Sequence, residues 1–447
     1  MADKQSTKPP SGTRDFLPDD VRRREYVINV VRGVYERYGF EPFETPAFEN
    51  IETLLGKYGD EGNKLIFKIL KRGEHEASGE ADLALRYDLT VPLARVVAQY
   101  QNELPRFFKR YQIQPVWRAD RPARGRFREF YQCDLDSTGS RSPVVEAEIL
   151  GAVSEILTTL GFNDFVIRVN HRRVLTAWLN GVVLVPPDQH ATVLVEIDKI
   201  DKLGIEGVVE GLSERGISEA ICNRLRNSLG AGLRLDWLER EEHTFPLLDE
   251  EGRAGLQNLR DIRDLTSRTV GDRLRFDRSL VRGLSYYTGA IMEIAVEGIG
   301  SLGGGGRYDN LIGTFLGRDV PACGFSLGLE RIIVLMTERD MFPPAVAGGA
   351  VDILVTLWND ESRADSVALA AGLRQKGLRV DLYPEADKLG KQFKYASSRN
   401  APFVVIQGDD ERARGEVAVK DLRSGAQTSM PSDQVAGFVA ANREPRT

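Results

Sequence analysis

Two strand-like stretches, Arg106–Trp117 and Arg126–Asp136, stand on either side of Ala119–Gly125, a loop rich in Pro, Gly and Arg. The pattern predicts a long hairpin with a mobile, basic tip, and no other feature limits the fold as strongly. The segment Lys109–Arg128 holds Lys109, Arg110, Arg118, Arg121, Arg124, Arg126 and Arg128, opposed only by Asp120. The whole chain is acidic, with 60 Lys+Arg against 66 Asp+Glu and a formal net charge of -6, so composition does not account for the cluster. A charge run standing alone is usually a solvated face. Here strand alternation turns Arg118 and Gln132 to one face, while the loop arginines stay free to fold over a ligand. Guanidinium forks match phosphate oxygens, as in a triphosphate or an RNA end.

The other segments arrange themselves around that hairpin. Val27, Val30, Val31 and Val34 recur at helical spacing after Asp19 and Asp20, which are candidate caps, and Gly39 offers a stop. Phe40–Phe48 reads as a strand broken near Pro46, and Ala81–Tyr87 as another, leading into a helix from about Thr90. From Asn170 to about Leu265 the pattern is helical, charged and Leu-rich, which predicts an inserted helical module, and strand character returns at Leu280–Val296. Phe342–Ala350 is a Pro/Gly/Ala linker. Beyond it, apolar strands at Val351–Leu357, Arg379–Tyr383 and Phe403–Ile406 alternate with helices at Glu361–Lys376 and Lys388–Ser398, predicting a small α/β domain with a mostly parallel sheet. The expected domains are therefore 1–169 with 266–341, the insertion 170–265, the linker 342–350 and a terminal domain 351–447, in line with 447 residues at about 150 per domain.

Several function classes are disfavoured at this stage. No apolar run approaches the ~18 residues of a membrane span, and Met1–Gly12 is polar without the apolar core of a secretory signal. Cys133, Cys222 and Cys323 form no CxxC pair, which fits a reducing cytoplasm rather than a disulfide scaffold or zinc site. With four scattered histidines, neither a His base nor a His-ligated metal is expected.

Three further stretches carry candidate chemistry. In Leu85–Thr90 a carboxylate and a hydroxyl, Asp88 and Thr90, could hold an ammonium group, or Asp88 could simply cap the next helix. Ser301–Asp309 contains four consecutive glycines, which either link two segments or let a backbone approach a small ligand closely. Their spacing matches neither a dinucleotide fingerprint nor a P-loop. Gly324–Arg331 reads as a strand entering a helix, with Arg331 in a surface ion pair or against a nucleotide.

Taken in order, these stretches resemble the class II aminoacyl-tRNA synthetases, and within them the histidyl-tRNA synthetase family. Phe40-Glu41-Pro42 with Thr45-Pro46 is similar to motif 1, Trp117–Gln132 to motif 2 and its loop, and Gly324–Arg331 to motif 3. Val281–Gly289, with its Tyr286-Tyr287 pair, and Gly304–Asp309 resemble the histidine-specific signatures. The resemblance implies an α+β catalytic domain built on an antiparallel sheet, a helical insertion over the acceptor stem, and a C-terminal α/β anticodon-binding domain. It implies an ATP-dependent ligase that activates L-histidine and transfers it to the 3′ end of tRNA(His), as a cytoplasmic homodimer joined through motif 1. Arg118 and Arg282 would be catalytic, flanking the α-phosphate and the substrate carboxylate. ATP would also meet Asp120, Arg126, Phe130 and Arg331. Histidine would lie among Asp88, Leu89, Thr90, Gln132, Asp136, Tyr286, Tyr287, Gly304 and Gly305. Magnesium would bridge the phosphates, with no metal site dedicated by the protein, and Arg121, Arg124, Lys391 and Lys394 would face the tRNA. Arg399 would join Lys391 and Lys394 on one helix face, although ordinary surface cations look the same in sequence. Ser285 departs from the family, which usually has Asp there. A paralogous regulatory subunit of ATP phosphoribosyltransferase and a sensor of uncharged tRNA are the competing expectations; the first usually lacks the C-terminal domain and the nucleotide-binding arginines.

Overall fold

The computed structural model describes residues 6–73, 78–230, 249–282, 286–347 and 350–442. The chain divides into two compact units, 1–341 and 342–447.

The first unit is built on a sheet of β1 (Glu41–Pro42), β5 (Phe108–Trp117), β6 (Glu129–Thr138), β7 (Val166–His171), β8 (Leu274–Phe276), β9 (Ala290–Val296), β10 (Gly300–Arg307) and β11 (Ala322–Gly328). Its spatial order is β1-β5-β6-β11-β10-β9-β7-β8. The pairs β1·β5 and β7·β8 are parallel and the rest antiparallel. A small antiparallel sheet, β2 (Phe48–Asn50), β4 (Ala81–Leu85) and β3 (Lys68–Leu70), lies beside it in the chain. The predicted hairpin is β5–β6, in register from Phe108↔Thr138 to Trp117↔Glu129. One face of the large sheet is covered by the helices Pro18–Arg37, Val144–Thr159 and Leu329–Glu338, which pack on one another and on β6 and β11. Apolar side chains drive that layer: Val27, Val31, Val34, Ile149, Leu150, Val153 and Ile332 are all fully buried. Asp19 and Asp20 sit in the first turn of their helix, where they favour the positive end of the dipole, and the cap position itself is Leu17. The helix begins two to three residues before the caps expected from sequence, because Pro18 already occupies a first-turn site.

Residues 172–230 and 249–266 are largely helical. Leu175, Trp178, Val193, Val208 and Leu225 of this stretch belong to the same apolar cluster as Leu54, Tyr87, Val91 and Tyr287, so these helices share a core with the sheet-based region. The candidate strand Phe40–Phe48 is not continuous; β1 pairs with β5 at the sheet edge, and β2 begins at Phe48 in another sheet. Pro46 separates the two pairings, consistent with its missing N–H.

In the second unit the order is β13-β12-β14-β15-β16, with β12 (Ile353–Val355), β13 (Val380–Leu382), β14 (Phe403–Ile406), β15 (Glu416–Asp421) and β16 (Gln427–Pro431). The first three strands are parallel, joined by the helices Arg363–Gln375 and Leu389–Ser398. β15 and β16 add antiparallel, so the sheet is less parallel than the strand–helix alternation suggested. Among the described residues no helix is long and apolar enough to cross a membrane.

Candidate functional site

Opposite the helical layer, the large sheet floors a cavity of about 540 Å³. The strand-to-loop ends of the hairpin, the glycine strand β10, the junction before the helix Thr90–Gln99, and the turn at Tyr286-Tyr287 all open into it.

At one end lie cations. Arg118 follows the last residue of β5, donates its Nε to the Tyr87 carbonyl at 3.0 Å, and stacks over Tyr87 and Phe130 with its guanidinium carbon 4.3 and 5.1 Å from the ring centroids. Arg282 pairs with Glu293 at 2.7 Å. Its guanidinium lies on the glycine strand, where a Cβ at Gly304 would overlap it. That is a physical reason for a strand without side chains. Arg331, in the first turn of its helix, is fixed by hydrogen bonds to the carbonyls of Ser301 and of Gly125 in the hairpin tip. Arg126 at that tip is exposed. Burial, and then the charge of Arg126, hold the Arg331 guanidinium below its ordinary pKa, with Arg282 and Arg118 adding to the effect against Glu293. Four guanidiniums from three separate stretches, the hairpin and the segments around Arg282 and Arg331, therefore crowd one space, which is a site prepared for polyanion.

The other end is acidic and phenolic. Asp88 is buried; its Oδ1 accepts from Tyr58 Oη and from the Val91 N–H, both at 3.0 Å, and its Oδ2 from Tyr286 Oη at 3.3 Å. Capping the helix and facing a ligand are thus not alternatives: one oxygen does the first and the other is turned to the cavity. Burial raises the Asp88 pKa, opposed by its hydrogen bonds and by Arg118. On β6, Gln132, Asp134 and Asp136 share the cavity face because alternate residues do. Asp136 accepts from Tyr308 Oη and lies 2.8 Å from Arg110 Nη2. Arg110 has no exposure at all and also donates to the Leu89 carbonyl at 3.2 Å. Burial raises Asp134 and Asp136 above the ordinary carboxylate range despite Arg110. The room for Asp136 comes from Gly324 on β11, where any Cβ would clash with its Oδ1. Gly324→Ala is accordingly expected to destabilise the fold by about 1–3 kcal/mol, seen as a lower urea midpoint at unchanged slope.

The cavity brings together Arg118, Arg282, Asp88, Thr90, Gln132, Asp136, Tyr286, Tyr287, Gly304 and Gly305, together with Asp120, Arg126, Phe130 and Arg331. Leu89 is fully buried, occupies the cap position, and is not among the residues that line the cavity, although Asp88 and Thr90 on either side of it are. Arg121 and Arg124 lie outside the cavity; Arg124 is tied to Glu338 and to the Gly298 carbonyl. In the second unit Lys391 pairs with Asp387 at 2.8 Å, Lys394 is exposed, and Arg399 lies past the end of their helix, 3.4 Å from Asp381. Ser285, with Gly283 and Leu284, lies outside the described residues. Arg110, Asp134, Glu293 and Tyr308 were not proposed for the site. The alternation that places Gln132 on this face places Asp134 there as well.

Residues 12–332 match the family model for histidyl-tRNA synthetase, and residues 351–442 that for an anticodon binding domain. The histidine–tRNA ligase of Christiangramia forsetii is 40% identical over 460 residues, covering 98% of this chain and 99% of the relative. The crystal structure of histidyl-tRNA synthetase from Nostoc sp. PCC 7120 superposes with a TM-score of 0.81 at 32% identity, covering 98% of this chain and 100% of that one. A Bacillus halodurans structure described as an ATP phosphoribosyltransferase regulatory subunit/histidyl-tRNA synthetase reaches a TM-score of 0.73 at 21% identity, over 91% of this chain and 99% of that one, so that likeness concerns the fold alone. By family model and by full-length relatives, the chain belongs to the histidyl-tRNA synthetase family.

Proposed function

We propose that the chain activates L-histidine with ATP and transfers the histidyl group to the 3′ end of tRNA(His). The observation that carries this reading is the convergence of Arg118, Arg126, Arg282 and Arg331 on a cavity whose other end holds buried carboxylates and tyrosines. In the first step a carboxylate oxygen of histidine attacks the α-phosphorus, an O–P bond forms, and pyrophosphate leaves. The nucleophile is already ionised, so no protein base is needed. Alignment and neutralisation of phosphate charge are. In the second step a hydroxyl of the terminal tRNA nucleotide attacks the histidyl carbonyl and AMP leaves.

Arg118 and Arg282 flank the reacting phosphate and carboxylate, Arg126 reaches the outer phosphates, and Arg331, Asp120 and Phe130 hold the adenosine. Asp88, Thr90 and Gln132 take the α-ammonium group, and Asp136 and Tyr287 the imidazole nitrogens, with Tyr286, Gly304 and Gly305 shaping the pocket. Magnesium arrives on the triphosphate. The helices of 170–265 form an insertion module for the acceptor stem, and residues 351–447 with Lys391 and Lys394 read the anticodon end; Arg121 and Arg124 meet the tRNA near the active site. Two copies pair through the Phe40–Pro46 segment, a reading supported by the edge position of β1 and by half-exposed Phe48 and Phe107. The reaction belongs in the cytoplasm, where tRNA is charged.

Histidine-dependent exchange of labelled pyrophosphate into ATP tests this directly. Exchange with histidine and with no other amino acid is expected. Folded protein that exchanges nothing, as a regulatory paralogue would, or that prefers another amino acid, overturns the reading.

A further inference from the structure

Glu293 lines the cavity beside Arg282, and Arg168, its cross-strand partner on β7, does not line it. The Glu293 carboxylate is divided between two guanidiniums. Its Oε2 accepts from Arg282 Nη1 at 2.7 Å, and its Oε1 from Arg168 Nη1 at 3.3 Å. Arg168 is itself held from several directions. Its Nε donates to Asp277 Oδ2, its Nη2 reaches Ser279 Oγ at 3.4 Å, and its Nη1 also donates to Asp201 Oδ2 at 2.6 Å. Asp277 is locked in turn by the Ser279 N–H and hydroxyl, at 2.9 and 2.7 Å. Asp201 comes from elsewhere in the chain. It stands in the first turn of Ile200–Glu214, a helix of the insertion, and Asp198 just before it lines the cavity.

A carboxylate alone beside a guanidinium takes it bidentately, with two parallel N–H···O bonds. Here Arg168 holds one oxygen of Glu293, so the pair takes only one terminal nitrogen of Arg282. The rest of that fork is left for the reacting phosphate and carboxylate. The same division matters for charge. One negative charge shared by two guanidiniums cancels less of the Arg282 charge than one held by Arg282 alone, so Arg282 stays cationic toward phosphate. Asp277 fixes Arg168 from the sheet and Asp201 fixes it from the insertion. The place of Arg282 is thereby tied to the helical module.

We propose that Arg168 is a positioning residue for Arg282: it restrains Glu293 to a single-point contact with that guanidinium, and Asp201 lets the helical insertion set its place. The inference rests on the role given to Arg282 under the proposed function.

Steady-state pyrophosphate exchange by full-length variants tests it. Arg168→Gln frees Glu293 to close on Arg282, so kcat is expected to fall roughly tenfold, the scale of a displaced catalytic group, with the KM for ATP within about twofold. Adding Glu293→Gln removes the charge that would close, and the double variant is expected to be about threefold faster or more than Arg168→Gln alone. A residue that merely held the fold together would give the opposite, a further loss. An unchanged kcat in Arg168→Gln, or a double variant no faster than the single one, overturns the inference. If Arg168→Gln does not fold, Asp201→Asn decides, because the Asp201 side chain is 60% exposed. That variant leaves Arg168 Nη1 free to draw Glu293 off Arg282, so kcat about threefold lower at an unchanged urea midpoint is expected. An unchanged kcat there overturns the inference. Wild type that exchanges nothing with histidine sinks the underlying reading and this inference together; wild type that exchanges, with variants that miss these outcomes, sinks this inference alone.

Discussion

Arg118→Ala is expected to lower kcat for histidine-dependent pyrophosphate exchange by roughly 10²- to 10³-fold, the scale of losing one preorganised donor to a transition state. Among the described residues only its Nε is used, for the Tyr87 carbonyl, and the rings of Tyr87 and Phe130 hold the guanidinium plane. Its terminal nitrogens therefore enter the cavity already oriented, and little reorganisation is needed when charge gathers on the phosphates. Lysine at 118 retains the charge but not the planar fork, so Arg118→Lys should recover only part of the rate. The unfolding midpoint should move little, because Arg118 is only half-buried and makes no ion pair among the described residues. An Arg118→Ala variant with near-normal exchange would show that the four-cation cluster is not where phosphate charge is met.

The second large effect concerns stability. Arg110→Met should destabilise the fold by about 3–5 kcal/mol, because it strands carboxylates that the guanidinium now offsets in a fully buried setting. Asp88, Asp134 and Asp136 all have folded-state pKa values raised by burial. Each binds its proton more tightly in the folded chain than in the unfolded one. Their contribution is thus fully present below the ordinary carboxylate pKa and is lost as pH rises through the raised values. Without Arg110 those values climb further for Asp134 and Asp136. The deficit of the variant should therefore be smallest in mild acid and widen toward neutral pH, which urea unfolding at several pH values measures. A deficit that does not change with pH would mean that lost packing against Phe43, rather than stranded charge, dominates.

Much of the architecture could be read from periodicity and punctuation. The β5–β6 hairpin, the helix after Asp88 and the three parallel strands of the second unit each have a strong local pattern. β15 and β16 do not: their exposed faces carry Glu, Lys, Gln and Ser, and their pairing is decided by contacts outside the segment. The basic run around the hairpin was legible as a cluster but not as a division of labour. Lys109 turns outward to Glu148, Arg110 inward beneath the cavity, Arg118 into it, and Arg124 away to Glu338. Arg110 was hidden because a cation beside six others reads as surface. Only the facing strand, which sets it opposite Asp136, reveals it as a buried counter-ion. Leu89 shows the opposite case, since it sits at the cap of a tight junction between two cavity-lining neighbours without lining the cavity itself.

The four consecutive glycines of β10 have a consequence for how such a pocket can change over time. The run Gly303–Gly306 has no side chains to pack and is held by the hydrogen-bond ladders of β9 and β11. It cannot be tuned by swapping one residue for a slightly larger one, because Cβ atoms at 303, 304 and 305 run into backbone or into Arg282. New substrate preferences would have to be written on the walls, in β6 and the Tyr286-Tyr287 turn, while the base plate stays as invariant as the backbone itself.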